Sequence, residues 1–217
     1  MKKAIILFSG GLDSVTSLYW SINEGYEPIA LSFMEHGRQK SEIDAAREII
    51  QLLDIPYIEI PLEFIMQKDE LEKIGIKLSD YSAKLPNVYI PQKNLIFYSI
   101  AAHYAEIYHA QAIIVALLSF DFDVFPDNTM EFFKLLENLI NLGLSNPSSH
   151  IEIKFPFKSM SKSDVIQLAS DLNVPLEKTW SCYEEKDELG NPCGKCKACI
   201  ERKLGFDQLG RKDPLLK

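Results

Sequence analysis

Residues 4–14 read Ala-Ile-Ile-Leu-Phe-Ser-Gly-Gly-Leu-Asp-Ser, an apolar run that stops at paired glycines and hands over to a helical pattern. A short run without polar alternation predicts a strand buried on both faces, as in the middle of a parallel sheet. Asp13 to Asn23 predicts a helix, with Val15, Leu18, Tyr19 and Ile22 on one face and Gly25 at its end. A strand that turns directly into a helix puts the turn at the carboxyl edge of the sheet, where α/β folds bind ligands. Gly10 and Gly11 allow close backbone approach to an anion, and the helix N-terminus behind them adds partial positive charge. Ser9 and Ser14 bring hydroxyl donors. Asp13 does not suit a bare phosphate and fits a magnesium ligand or a loop-ordering group. There is no Gly-Lys-Ser/Thr, so this is not a P-loop, and no Gly-x-Gly-x-x-Gly, which argues against a dinucleotide fingerprint. The competing reading is a plain capped turn.

The alternation continues. Strands are expected at Pro28 to Met34, Tyr57 to Ile60, Ala112 to Leu118 and Ile151 to Phe155. Helices are expected at Ser41 to Leu53, Asn94 to Ile107, Asn128 to Leu142 (capped by Asn128 or Asp127) and Ser161 to Leu172. Ser161 followed three residues on by Asp164 approximates a capping box. Residues 61–93 interrupt the pattern, with a helical stretch at Phe64 to Glu72 and an irregular loop at Leu85-Pro86-Asn87 and Ile90-Pro91. Such a loop suits a substrate cover. The fold class expected is α/β, a doubly wound parallel sheet over residues 1–178 with a small metal-binding segment at 179–217 packed on it.

The 217 residues suffice for one such domain. Acids outnumber bases 31 to 23, a net charge of -8, which argues against a nucleic-acid clamp held by bulk electrostatics. No apolar run is long enough to cross a bilayer, and Ser9-Gly10-Gly11 interrupts the signal-like start too early. A cytoplasmic protein without membrane contact is the expectation. All four cysteines, Cys182, Cys193, Cys196 and Cys199, lie near the C-terminus. In a reducing compartment the Cys-x-x-Cys-x-x-Cys spacing with a fourth thiol upstream predicts a closed, structural Zn²⁺ site. An iron–sulfur cluster and four unliganded thiols are the competing readings.

The Ser-Gly-Gly-x-Asp-Ser loop resembles the signature of the PP-loop ATP pyrophosphatases, which cleave ATP between the α- and β-phosphates. Thr179-Trp180-Ser181-Cys182, Cys193-Gly194-x-Cys196-x-x-Cys199, Arg202 and Gly205-Phe206, with Tyr89-Ile90-Pro91-Gln92-Lys93-Asn94 and Ala101-Ala102-x-Tyr104-Ala105, narrow the resemblance. Together they resemble the QueC-like 7-cyano-7-deazaguanine synthase family, from Ala4 to about Phe206. The resemblance implies an ATP-dependent carbon–nitrogen ligase of queuosine biosynthesis using ATP, ammonia and a deazaguanine carboxylate, with Mg²⁺ and Zn²⁺. It implies an ATP segment of Phe8, Ser9, Gly10, Gly11, Leu12, Asp13, Ser14, Val15, Thr16, Ser17 and Leu18. Asp13, Ser14, Lys93 and Lys162 become the catalytic candidates.

Recognition of the acceptor falls to Arg38, Asn94, Asp121 and Asp127. Carboxylates accept paired donors such as an exocyclic amine and a ring N–H, and Arg38 and Lys93 are the basic candidates for a carboxylate or the phosphates. Departures cluster in these segments. Met34-Glu35-His36-Gly37-Arg38-Gln39 stands where the family usually reads Asp-Tyr-Gly-Gln-Arg-His. Asp121-Phe122-Asp123-Val124-Phe125-Pro126-Asp127-Asn128-Thr129 stands for Asp-x-Ser-Gly-Tyr-Pro-Asp-Cys-Arg, and Pro91-Gln92-Lys93-Asn94 for Pro-Gly-Arg-Asn. These suggest a changed acceptor or amine, or a product that stops at the amide; an ATP-sensing zinc scaffold is the non-enzymatic alternative. Asp123 is expected to face outward, and His36 is a candidate base. His103 and His109 are read as structural. Phe132, Phe133, Leu135 and Leu136 are read as core or as a homodimer contact.

Overall fold

The computed structural model describes residues 2–79, 84–85, 89–122 and 124–216. The expectations for Pro86, Asn87 and Asp123 fall outside them. Five parallel strands, β1 (Lys2–Leu7), β2 (Tyr26–Glu35), β3 (Tyr57–Leu62), β4 (Ala112–Ile114) and β5 (Glu152–Lys154), form one sheet in the order β3-β2-β1-β4-β5. Ile5 pairs with Ile29 on one side and Ile113 on the other, so β1 is the central strand. Its alternate side chains feed two cores, which is why it reads as unbroken apolar sequence. Ala4, Ile6 and Phe8 join Leu12, Val15, Ala46, Ile49 and Val165 on one face, while Ile5 joins Tyr98, Ala101, Phe133 and Leu136 on the other.

The helices are α1 (Leu12–Asn23), α2 (Lys40–Leu53), α3 (Lys68–Lys73), α4 (Lys93–Tyr108), α5 (Met130–Leu142), α6 (Lys162–Asp171) and α7 (Lys197–Gln208). The capping box of α6 forms: Ser161 N–H donates to Asp164 at 2.9 Å and Asp164 N–H to Ser161 Oγ at 3.3 Å. Three expectations are corrected. The strand at Ala112 to Leu118 ends at Ile114, because β1 and β5 pair only that far and the chain then bends toward the sheet's carboxyl edge. The cap of α5 is Thr129, whose Oγ1 accepts from Phe132 N–H, in place of Asn128 or Asp127. The helix expected from Phe64 starts only at Lys68, leaving Phe64 exposed. Helix α7 has no counterpart among the expected elements. On α5, Phe133 and Leu136 are core while Leu135, Leu139 and Leu142 are exposed.

Strand order reverses at β1 and β4. The connections leaving their carboxyl ends therefore run to opposite sides and open a crevice between residues 8–14 and 115–121. No helix among the described residues is long and apolar enough to cross a membrane.

Candidate active site and metal centre

The crevice is a cavity of about 400 Å³, lined by Ser9, Gly11, Asp13, Ser14, Glu42, Lys93, Phe120, Asp121, Lys162, Ser181, Tyr183 and Glu201 among others. A larger, open groove of about 740 Å³ follows β5 and α5 and touches none of the glycine-loop residues. In the loop, Gly10 has φ +92°, and a Cβ there would lie 2.6 Å from Ala46 N and 2.8 Å from Glu42 O in α2. Only glycine fits that position. Two carbonyls of the loop are pinned: Arg38 Nη2 donates to Ser9 O at 2.7 Å and Trp180 N–H to Gly10 O at 3.0 Å. The amides meet serine hydroxyls. Ser14 Oγ accepts from Ser9 and Gly10, Ser9 Oγ from Gly11, and Ser181 Oγ from Leu12.

Behind the loop, Asp13 and Lys162 form a two-point ion pair, with Lys162 Nζ 2.9 and 2.7 Å from the carboxylate oxygens. Asp13 opens α1 and Lys162 opens α6, so both arise where a helix begins beside the carboxyl edge of the sheet. Lys93, the first residue of α4, is 3.4 Å from Glu35 and lies over the Phe97 ring at 5.0 Å.

Several expected ligand contacts turn out to be internal. Phe8, Leu12, Val15 and Leu18 are buried in the core, and the hydroxyls of Thr16 and Ser17 are spent on Leu12 O and Ser14 O. Of this segment Ser9, Gly11, Leu12, Asp13 and Ser14 line the cavity. Arg38 is 5% exposed and serves Ser9 O, Phe33 O, Ser32 Oγ and Glu42, so its guanidinium braces the loop. Asp127 accepts the backbone N–H of Asn94 at 2.8 Å, and Asn94 Nδ2 donates to Asp127 O and to Asn128 Oδ1. Both residues lock the start of α4. His36 lies outside the cavity lining, 3.7 Å from Glu70.

Asp121 stays in the cavity, one oxygen accepting Leu118 N–H at 2.9 Å. Burial foremost holds its carboxyl above the usual aspartate range; Asp13 and Glu201 push the same way, against Leu118 N–H and Lys162. The folded chain thus binds the proton more tightly than the unfolded chain, and stability falls as pH rises from the ordinary aspartate pKa through the raised one. Asp121→Asn, which retains an oxygen for Leu118, should melt above the parent at pH 7, with the gap closing on acidification below the ordinary aspartate range. Melting curves across pH check this, and a gap independent of pH contradicts it.

The cavity also contains groups that the sequence reading passed over. Glu42 hydrogen-bonds Arg38 four residues earlier, and burial pushes its carboxyl up. Tyr183 is pushed up to about 12, by burial first and then by Glu201. The i, i+4 spacing of Arg38 and Glu42 was the available signal for the former.

The four cysteine sulfurs lie within 4.8 Å of one another, Cys193 to Cys199 and Cys182 to Cys196 each at 4.0 Å. A tetrahedral ion with bonds of about 2.3 Å places its sulfurs about 3.8 Å apart, so the set fits. Backbone N–H groups of Glu184 and Cys193 point at Cys182 Sγ, and that of Cys196 at Cys193 Sγ. Burial pushes the Cys182 and Cys199 thiols up, a cost a bound cation offsets. The cluster is tied to the ATP-type loop. Glu185 accepts Lys40 and Ser41 N–H at the start of α2, the helix on which Gly10 rests. Arg202, 4% exposed, clasps Asp213 through two bonds and also donates to Thr179 Oγ1, Leu176 O and Ser181 Oγ.

A doubly wound sheet with this glycine loop at its switch point, and a metal-competent cysteine cluster behind it, defines the class: a PP-loop, ATP-utilising α/β enzyme. The likeness to solved structures agrees at the level of fold. An NMN synthetase from Francisella tularensis superposes with a TM-score of 0.54 at 15% identity, covering 97% of this chain and 78% of that one. A predicted tRNA methyltransferase subunit from Methanocaldococcus jannaschii gives 0.52 at 18%, covering 98% and 90%. The chain belongs to the QueC family, whose model, described as queuosine biosynthesis protein QueC, matches residues 3–210. It is 37% identical over 218 residues to a 7-cyano-7-deazaguanine synthase of Nitratiruptor, covering 98% of this chain and 97% of the relative. The corresponding synthase of Thermoplasma volcanium is 35% identical over 220 residues, covering 99% and 90%.

Proposed function

We propose that this protein converts 7-carboxy-7-deazaguanine and ammonia to 7-cyano-7-deazaguanine, consuming ATP. The observation that carries the reading is the Asp13–Lys162 pair beside the glycine loop at the switch point, in a chain of the QueC family. A carboxylate is a poor electrophile for ammonia. Attack of its oxygen on the α-phosphate forms an acyl adenylate and releases pyrophosphate. Ammonia displaces AMP to give the amide, with loss of a proton. Attack by the amide oxygen on a second ATP releases pyrophosphate again, and loss of AMP and of both amide protons leaves the nitrile.

The chain's part is positioning and charge stabilisation. The amides of Ser9, Gly10, Gly11 and Leu12 now hold serine hydroxyls, each of which phosphate oxygens can replace while the hydroxyls turn to donate. Lys162 supplies positive charge for the transferring phosphates, and Asp13 orients it and offers a carboxylate to the magnesium ion that accompanies ATP. Lys93 and Asp121 lie across the cavity for the acceptor, the lysine toward its carboxylate and the aspartate toward its amine edge. Zn²⁺ on Cys182, Cys193, Cys196 and Cys199 would be a closed structural site, suited to a cytoplasm that keeps thiols reduced. No finding favours an amide-forming enzyme or a non-catalytic scaffold over this reading. Continued pyrophosphate release over many turnovers that requires both the deazaguanine acid and ammonium tests it; release indifferent to the acid contradicts it.

A further inference from the structure

We propose that Gly205 is a positioning residue that sets Lys162 against the phosphate loop, an inference that rests on the role given to Lys162 above. Gly205 lies inside α7 and does not have a positive φ, so its backbone makes no demand for glycine. Alanine is the better helix former there. What glycine provides is room. A Cβ at Gly205 would lie 2.8 Å from Lys162 Cγ, 3.3 Å from Lys162 Cβ and 2.7 Å from Ile166 Cδ1. The stem of the lysine thus crosses α7 at its one residue without a side chain, and from there Nζ reaches both oxygens of Asp13.

Helix α7 is not free to yield. Cys199, Arg202 and Gly205 follow one another at three-residue intervals and are all buried. The first belongs to the metal cluster, and the second is held by Asp213, Thr179 and Leu176. With α7 anchored just upstream of Gly205, an added methyl displaces the lysine stem more readily than the helix. The metal segment therefore holds one half of the Asp13–Lys162 pair in register, through a residue that touches no substrate.

The test compares Gly205→Ala, Lys162→Ala and the double variant in the complete enzyme. Metal content and melting temperature serve as readouts independent of turnover. Gly205→Ala should keep its metal and melt within a few degrees of the parent, while kcat falls about tenfold or more and KM for ATP changes far less; a misplacement of about 1 Å can cost that much. The double variant should be no slower than Lys162→Ala alone, because both changes act on one group. Adding Ile166→Val removes the Cδ1 contact and should leave the Gly205→Ala rate low. A Gly205→Ala enzyme within twofold of the parent beside an inactive Lys162→Ala, multiplicative losses, or rescue by Ile166→Val each overturn the proposal. An active Lys162→Ala enzyme overturns the role of Lys162 and the proposal with it. Should Gly205→Ala prove too unstable to assay, Gly205→Ala/Ile166→Val against Ile166→Val carries the same comparison.

Discussion

Lys162→Ala is expected to slow acid-dependent pyrophosphate release by roughly 10²–10³-fold, the usual effect of removing one preorganised group that stabilises transition-state charge. Asp13→Ala should lose at least as much, since it removes the lysine's partner and the loop's own carboxylate together. Neither change should unfold the chain. The pair is partly exposed at the cavity, so its loss costs about 1 kcal/mol or less of stability. Initial rates at saturating ATP, beside melting curves, measure both effects. Full turnover by a folded Asp13→Ala protein contradicts the assignment.

The second large effect concerns the metal. Cys196→Ser removes one thiolate from a site that fixes the start of α7, the 182–185 segment and, through Glu185 and Arg202, the start of α2 and the Thr179–Ser181 strap. Loss of a structural metal belongs with changes that cost more than about 4 kcal/mol. At about 2–4 °C per kcal/mol for a chain of this size, melting should fall by about 8 °C or more. Elemental analysis should find one zinc per parent chain and a deficit in the variant. Iron with a visible charge-transfer band, or a metal-free parent of equal stability, contradicts the closed zinc site.

The strand-to-loop-to-helix start was legible because each of its features has one physical explanation: two-sided burial of β1, a glycine pressed against α2, and a carboxylate at a helix start. The α6 box was legible for the same reason, its two partners being three residues apart. The reading failed where partners are distant in sequence. Asp127 looked like the cap of the helix that follows it, yet it accepts the N–H of Asn94, thirty-three residues earlier, in the first turn of α4. Arg38 looked like a free cation, and only the fold brings Ser9 O to its donors. Helix α7 went unseen because its buried face consists of Cys199, Arg202, Gly205 and Phe206. A cysteine of the cluster, a charge and a glycine hide an apolar stripe. The strand after Ala112 was read too long because apolar residues persist beyond the last strand partner and turn to line the cavity. Within the segments 34–39 and 121–129, Arg38 and Asp127 match the usual pattern and carry internal duties, so the departures lie at their neighbours.

The central claim is that one cavity adenylates the same substrate twice and ends at a nitrile. Mass spectrometry of a reaction containing ATP, ammonium and 7-carboxy-7-deazaguanine tests it most directly, with AMP and pyrophosphate counted alongside. The account predicts a transient amide, then the nitrile as the end product, with one AMP and one pyrophosphate for each of the two adenylations. An amide that accumulates as the final product, or an acid left unchanged while ATP is consumed, would contradict it.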